Sequence, residues 1–189
     1  RAQGNAETFR QRLDAALELQ PEYAPALIER ARLKAADRDF KAAVAELDRL
    51  IAREPKNAEA IKLRGDVLLY GLGERDQALA AYQSAVEAAP KYLDGHSALV
   101  RLLMAQSRHE EAAQALQKLS AVSASHPVTL YLQAQQAVQK QDFKLARERV
   151  QQLLKRTPDS PTANELAGVI ELQNGSVQQA QNHLAKALQ

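Results

Sequence analysis

The chain has 189 residues, a formal net charge of +2, no Cys and only 4% aromatic residues. Cations and carboxylates are interspersed, which gives a solvated surface rather than the basic stripe of a nucleic-acid binder. A disulfide framework and thiolate chemistry are excluded, and no apolar run approaches the roughly 20 residues that a membrane helix needs.

Ala, Leu, Gln, Glu, Lys and Arg dominate, all strong helix formers, so an all-α chain is the first expectation. Residues 6–20 read as an amphipathic helix ending at Pro21. A helical stripe follows over Leu27–Ala36, then a polar turn, then a second stripe through Val44, Leu47, Leu50 and Ile51 that ends near Pro55. The same two-helix sentence repeats. Ala43, Ala78, Ala112, Ala146 and Ala180 are spaced 35, 34, 34 and 34 residues apart. Pro21, Pro55, Pro90 and Pro158 share the frame, with Ala124 where one Pro would fall. Further first helices are expected over Ile61–Tyr70, Leu99–Ala105, Leu130–Lys140 and Leu166–Gln173.

Local chemistry supports these starts and stops. Ser160-Pro161 and His126-Pro127 place Pro where the first helical NH needs no partner, and Ser160 can cap. Asp39 and Asp142, in DFKAA and DFKLA 103 residues apart, can cap second helices, with Phe40 and Phe143 folding back over the turn. Small residues Ala31, Gly65, Ala134 and Gly168 in the first helices match the marker Ala of the second, which lets paired helices approach closely; Val100 breaks the pattern. The extra residue at Leu72–Gly73 is expected to lengthen one inter-helix turn.

A 34-residue helix–turn–helix unit with these small slots and a terminal Pro resembles the tetratricopeptide repeat (TPR). The resemblance implies a single α-solenoid over 1–189, a right-handed superhelix of five units (24–57, 58–92, 93–126, 127–160 and 161–189) behind the second helix of a truncated unit at 6–20. No polar capping helix follows the last unit. The pattern reads as a piece of a longer array, or as one whose ends are covered by self-association. Residues 126–161 and 163–188, with the phrases LYLQA and AGVIELQ, also resemble the TPR-repeat lipoprotein of exosortase/PEP-CTERM systems. That implies a bacterial cell-envelope or periplasmic protein, anchored by lipid outside this sequence and linked to exopolysaccharide production and protein sorting. A cytosolic adaptor or co-chaperone-like scaffold is the alternative.

Nothing points to catalysis. His109-Glu110-Glu111 lacks the second His of a zinc protease, the four His fall in different units, and Gly71-Leu72-Gly73 lacks the third Gly and preceding strand of a dinucleotide fingerprint. No enzyme, metal or cofactor is expected. Pentatricopeptide repeats have a similar length and read RNA, but they require a basic groove.

In the TPR register the first helices line the concave face, so a protein or peptide partner is expected there, with no nucleic acid. Arg32, Lys62 and Arg101 would supply one cation in each of three units. Tyr70, Met104 and Tyr131 would supply an exposed apolar track, with Asp66 and Gln135 as polar neighbours. An acidic and apolar peptide fits such a face. The alternative for the cations is surface pairing of Arg32 and Arg101 with Asp66 and Asp94. Slots where some co-chaperones carry a Lys/Asn carboxylate clamp hold Arg32, Asp66, Arg101, Gln135 and Val169, which does not support a clamp. His96 is expected to be a partly buried, hydrogen-bonded His, with a pH-sensitive contact as the alternative.

Overall fold

The computed structural model describes residues 2–188, and all regular secondary structure among them is helical. In chain order the helices are α1 (Ala2–Leu19), α2 (Ala24–Ala36), α3 (Phe40–Arg53), α4 (Ala58–Asp66), α5 (Arg75–Ala88), α6 (Leu93–Ala105), α7 (His109–Ser123), α8 (Pro127–Gln139), α9 (Phe143–Arg156), α10 (Pro161–Gln173) and α11 (Val177–Ala187). The first helices begin about a turn before their apolar stripes, because the capping residues and Pro that start them precede the first large side chain. The helices gather into two compact units, Arg1–Ala98 and Leu99–Gln189, where the sequence suggests one continuous array.

Helix starts follow the expected chemistry. Asp39 accepts from the Ala42 amide at 3.3 Å and Asp142 from the Leu145 amide at 3.0 Å. Ser160 caps α10 through the Ala163 amide, and Asn57 caps α4 through Ala60. His126, which the sequence leaves without a capping role, accepts from the Val128 amide through Nδ1 at 3.3 Å.

The stops share one device. Arg38, Gly73, Ser107, Gln141 and Gly175 all have left-handed backbones, with φ between 58° and 74°. Each stands five residues before its marker Ala. The next residue's amide then bonds back across the helix end, Asp39 to Lys34, Arg108 to Leu103, Asp142 to Ala137 and Ser176 to Glu171, at 2.8–3.0 Å. This is the Schellman closure, which satisfies carbonyls that the helix leaves free.

In the second pair the corresponding bond runs from Glu74 to Leu68, one residue further. Here the expectation of a longer turn is corrected. The extra residue is absorbed as a π-helical segment, Val67–Leu72, that continues α4 and ends at Gly73. A wide turn keeps backbone groups paired where a longer loop would release them. Phe40 reaches this segment as well. A Cβ on Gly71 would lie 2.4 Å from its ring, so Phe40 covers the π segment of the following pair.

In the first unit one core runs from Leu13 and Leu17 of α1 through Leu27, Ile28 and Ala31 to Leu47, Leu50, Leu63 and Val67. Ile61 joins Ala81 and Ala85 between α4 and α5. In the second unit Leu130, Ala134, Ala146, Val150, Leu153, Ala167 and Ile170 form the matching core across α8, α9 and α10. Ala31, Ala43, Ala78, Ala134, Ala146 and Ala180 are all fully buried, as is Val100. Gly65 faces the Tyr82 ring and Gly168 the Leu184 side chain, each 2.6 Å from where a Cβ would stand. Elements that cannot bury their own apolar stripe alone are thus covered by the next pair.

Three buried polar side chains are anchored by hydrogen bonds. His96 is buried and donates from Nε2 to the Pro90 carbonyl at 2.9 Å, the hydrogen-bonded state expected of it. Asn164 does the same with the Pro158 carbonyl at 2.8 Å, in the slot that Leu27, Ile61 and Leu130 fill elsewhere. Glu171 of α10 is gripped by Arg147 of α9, whose hydrogen bonds hold its carboxyl below the ordinary range.

The non-glycine left-handed stops carry a cost of about 1 kcal/mol that glycine does not. Gln141→Gly is therefore expected to raise stability in urea unfolding by about 0.5–1 kcal/mol, and Gly175→Ala to lower it by a similar amount.

Candidate functional site

The candidate site is the face of the first helices, α2 and α4 in the first unit and α8 and α10 in the second, with α6 contributing its halves to each. Their other faces are occupied by the paired second helices and by the cores. What is left outward on these helices is what a partner could touch.

In the first unit the expected cations are already engaged. Arg32 pairs with Glu59 at 2.8 Å and with Glu29 at 3.2 Å, and its alternative pairing with Asp66 is not the one formed. Lys62 pairs with Asp66 at 2.7 Å, one turn along α4. The second oxygen of Asp66 accepts from the Tyr82 hydroxyl at 2.9 Å, so Asp66 serves as the link between α4 and α5. Burial, then the charge of Asp66, then that hydrogen bond push the Tyr82 phenol well above its ordinary range. Beside this group, burial and the Asp94 carboxylate push Tyr92 up to about 12. With Glu29, Glu59, Asp66 and Asp94 against Arg32 and Lys62, carboxylates outnumber cations, contrary to the cationic track read from the sequence. Tyr70 is 78% exposed, the most available ring on the face.

In the second unit the character changes. Arg101 stacks over the Tyr131 ring, 5.6 Å from its centroid, where the sequence alternative paired it with Asp94. The Tyr131 hydroxyl accepts from Gln135 at 3.1 Å. These three expected residues are thus brought together. Met104 is not. At 9% exposure it is part of the core and cannot belong to a surface track. From Leu99 to Met104 only Arg101 faces solvent, so α6 is apolar around most of its circumference and covered accordingly. Its place as an exposed apolar contact goes to Val169 and Leu172 of α10, 39% and 48% exposed. They lie on the expected register, but the sequence gives no reason to prefer them over buried neighbours such as Ile170.

The face carries an ionic lattice with an exposed phenol in one unit, and a cation–π pair with two exposed aliphatic side chains in the other.

Comparison with known proteins gives the following. One model of the tetratricopeptide repeat matches residues 28–69 and 131–189, and a second matches residues 69–135. No curated protein sequence matches. Among solved structures, MamA (residue 41 to the end) from Desulfovibrio magneticus RS-1 superposes with a TM-score of 0.70 at 14% identity, over 87% of this chain and 93% of that one. A tetratricopeptide repeat protein from Parabacteroides merdae gives 0.76 at 15% identity, over 99% and 74%. YrrB, described as a TPR protein with an unusual peptide-binding site, gives 0.66 at 19% identity, over 93% and 90%.

The raised tyrosines yield a test of the face's geometry. Because the folded chain holds Tyr92 protonated above its unfolded value of 10.0, the corresponding stability is intact below that value and is lost as pH rises through about 12. Absorbance titration at alkaline pH is expected to show a phenol component near 12 that disappears in Tyr92→Phe and in the chain unfolded by urea.

Proposed function

This chain belongs to the tetratricopeptide repeat family, and on that premise we propose that it is a non-enzymatic scaffold that holds a protein or peptide partner against the face of its first helices. The observation that carries this reading is the distribution of exposed large apolar side chains. Within the repeats Tyr70, Val169 and Leu172 stand exposed on first helices, where Val67, Leu68 and Ile170 beside them are buried; the other exposed ones, Val177 and Leu188, lie at the two ends of α11. Solvated aliphatic and aromatic groups flanked by polar side chains are the composition of a recognition surface. Their burial would be worth about 25 cal/mol per Å². The peptide-binding site described for YrrB, a protein of like fold, supports the same assignment.

The contact set is Tyr70 with Arg32, Lys62 and Asp66 in the first unit, and Arg101, Tyr131 and Gln135 with Val169 and Leu172 in the second. Arg32 and Lys62 would act through their carboxylate partners rather than as free cations. A ligand at that lattice must satisfy both signs, while the Arg101–Tyr131 stack leaves a cation with no carboxylate partner among the described residues. Selection of displayed random peptides against the immobilised chain is expected to return ligands whose affinity falls about tenfold or more on Tyr70→Ala or on Leu172→Asp, with helicity kept. Peptides that bind those variants as well as the original would remove the reading.

The finer resemblance of residues 126–161 and 163–188 supports an envelope role, with lipid anchorage outside this sequence, in exopolysaccharide production and PEP-CTERM protein sorting. The competing placement is a cytosolic adaptor. Fractionation of the tagged gene product in its host is expected to put it with the membranes and to release it on lipase treatment. Recovery in the cytosolic fraction would favour the adaptor.

A further inference from the structure

A second feature shares no residue with the face just described. Between α2 and α3 lies a cleft of about 310 Å³ whose charged lining is Arg30, Lys34, Arg49, Arg53 and Glu46. Each helix supplies two cations one turn apart, Arg30 and Lys34 on α2 and Arg49 and Arg53 on α3. Like charges at that spacing repel. Placing two such pairs across one cleft compounds the repulsion.

Only part of it is relieved internally. Glu46, buried at the cleft wall, accepts from Arg30 at 2.5 Å through one oxygen and from Lys34 through the other. Both carboxylate oxygens are spoken for, and two cations share one negative charge. Arg53 reaches the exposed Glu22 only at 3.4 Å and donates to its carbonyl. Arg49 has no carboxylate partner among the described residues.

The other repeats show that the fold does not demand this arrangement. In the fourth repeat the corresponding slots hold Gln133, Ala137, Gln152 and Arg156, and in the second Arg64, Leu68, Ser84 and Ala88. Four cations on these slots belong to the first repeat alone. A concave site of this volume suits a small molecule. Guanidinium groups on facing helices are matched by clustered oxyanions, which they bind by paired charge-assisted hydrogen bonds.

We propose that the cleft between α2 and α3 is a binding site for a small multivalent oxyanion, with Arg49 and Arg53 as the primary ligands and the Arg30–Glu46–Lys34 group as the charged wall that positions them. The neighbouring apolar residues Leu27 and Pro21 would hold the uncharged part of such a molecule. Because Glu46 already occupies two of the four cations, a bound group of one negative charge would leave the cleft still positive, and a polyanion would neutralise it.

Calorimetric titration of the whole chain at low salt, with pyrophosphate and with citrate, tests this. The expected result is saturable one-site binding that weakens steeply as salt is added. Arg49→Gln, which writes in the fourth repeat's residue, should weaken it about tenfold, and Arg49→Gln with Arg53→Gln should abolish it. Lys118→Gln, the same slot in the third repeat, should change nothing. Pyrophosphate binding with citrate inert assigns phosphoryl ligands; binding of both assigns multivalent oxyanions generally. Pyrophosphate should also raise the melting temperature of the original chain and not that of the double variant, which separates ligand loss from misfolding. Absence of saturable binding by either anion, or an equal loss in Lys118→Gln, would overturn the proposal.

Discussion

The structure depends on how closely two antiparallel helices can approach. At the crossing of most pairs neither helix brings more than a methyl group, with Val100 of the third pair the exception, and Ala31, Ala43, Ala134 and Ala146 are buried completely. Where glycine stands in for alanine the partner side chain fills the space, Tyr82 over Gly65 and Leu184 over Gly168. Close approach at one level forces the large apolar residues to either side, where the next pair covers them. That is why the period of the small residues, rather than that of the large ones, is the most regular feature of the chain. It is also why the outward face of the first helices is free to vary.

Much of this was legible because the signals were local or periodic. The marker Ala residues, the terminal Pro residues and the caps at Asp39, Asp142 and Ser160 each act over a few residues, and all did what their chemistry dictates. The left-handed stop five residues before each marker Ala was harder to see. Only Gly73 and Gly175 announce it, while Arg38, Ser107 and Gln141 adopt it because the Schellman closure holds them there.

The candidate face was less legible, because a register gives an angle and not a depth. Met104 has the angle of a face residue but the neighbours of a core residue, since Leu102 and Leu103 beside it are buried too. Arg32 and Lys62 sit where the register puts them, yet their charge is spent on Glu59 and Asp66, partners fixed by the packing of α2 against α4 and by a helical turn. Arg101 shows the reverse. It lies where expected and finds an aromatic ring rather than a carboxylate. Pairing between repeats is a tertiary event, and no spacing within one repeat encodes it.

The π-helical segment at Val67–Leu72 has a consequence for comparing the repeats with one another. A residue added inside a helix, rather than in the turn after it, changes the bearing of everything between the insertion and the helix end. Leu69 and Tyr70 are therefore turned away from the direction that a simple numerical offset from Ala35 and Ala36 would assign. Any attempt to move recognition from this repeat to another by swapping aligned residues would carry the side chain but point it elsewhere. The gap in such an alignment belongs inside the helix, among the residues that include Tyr70.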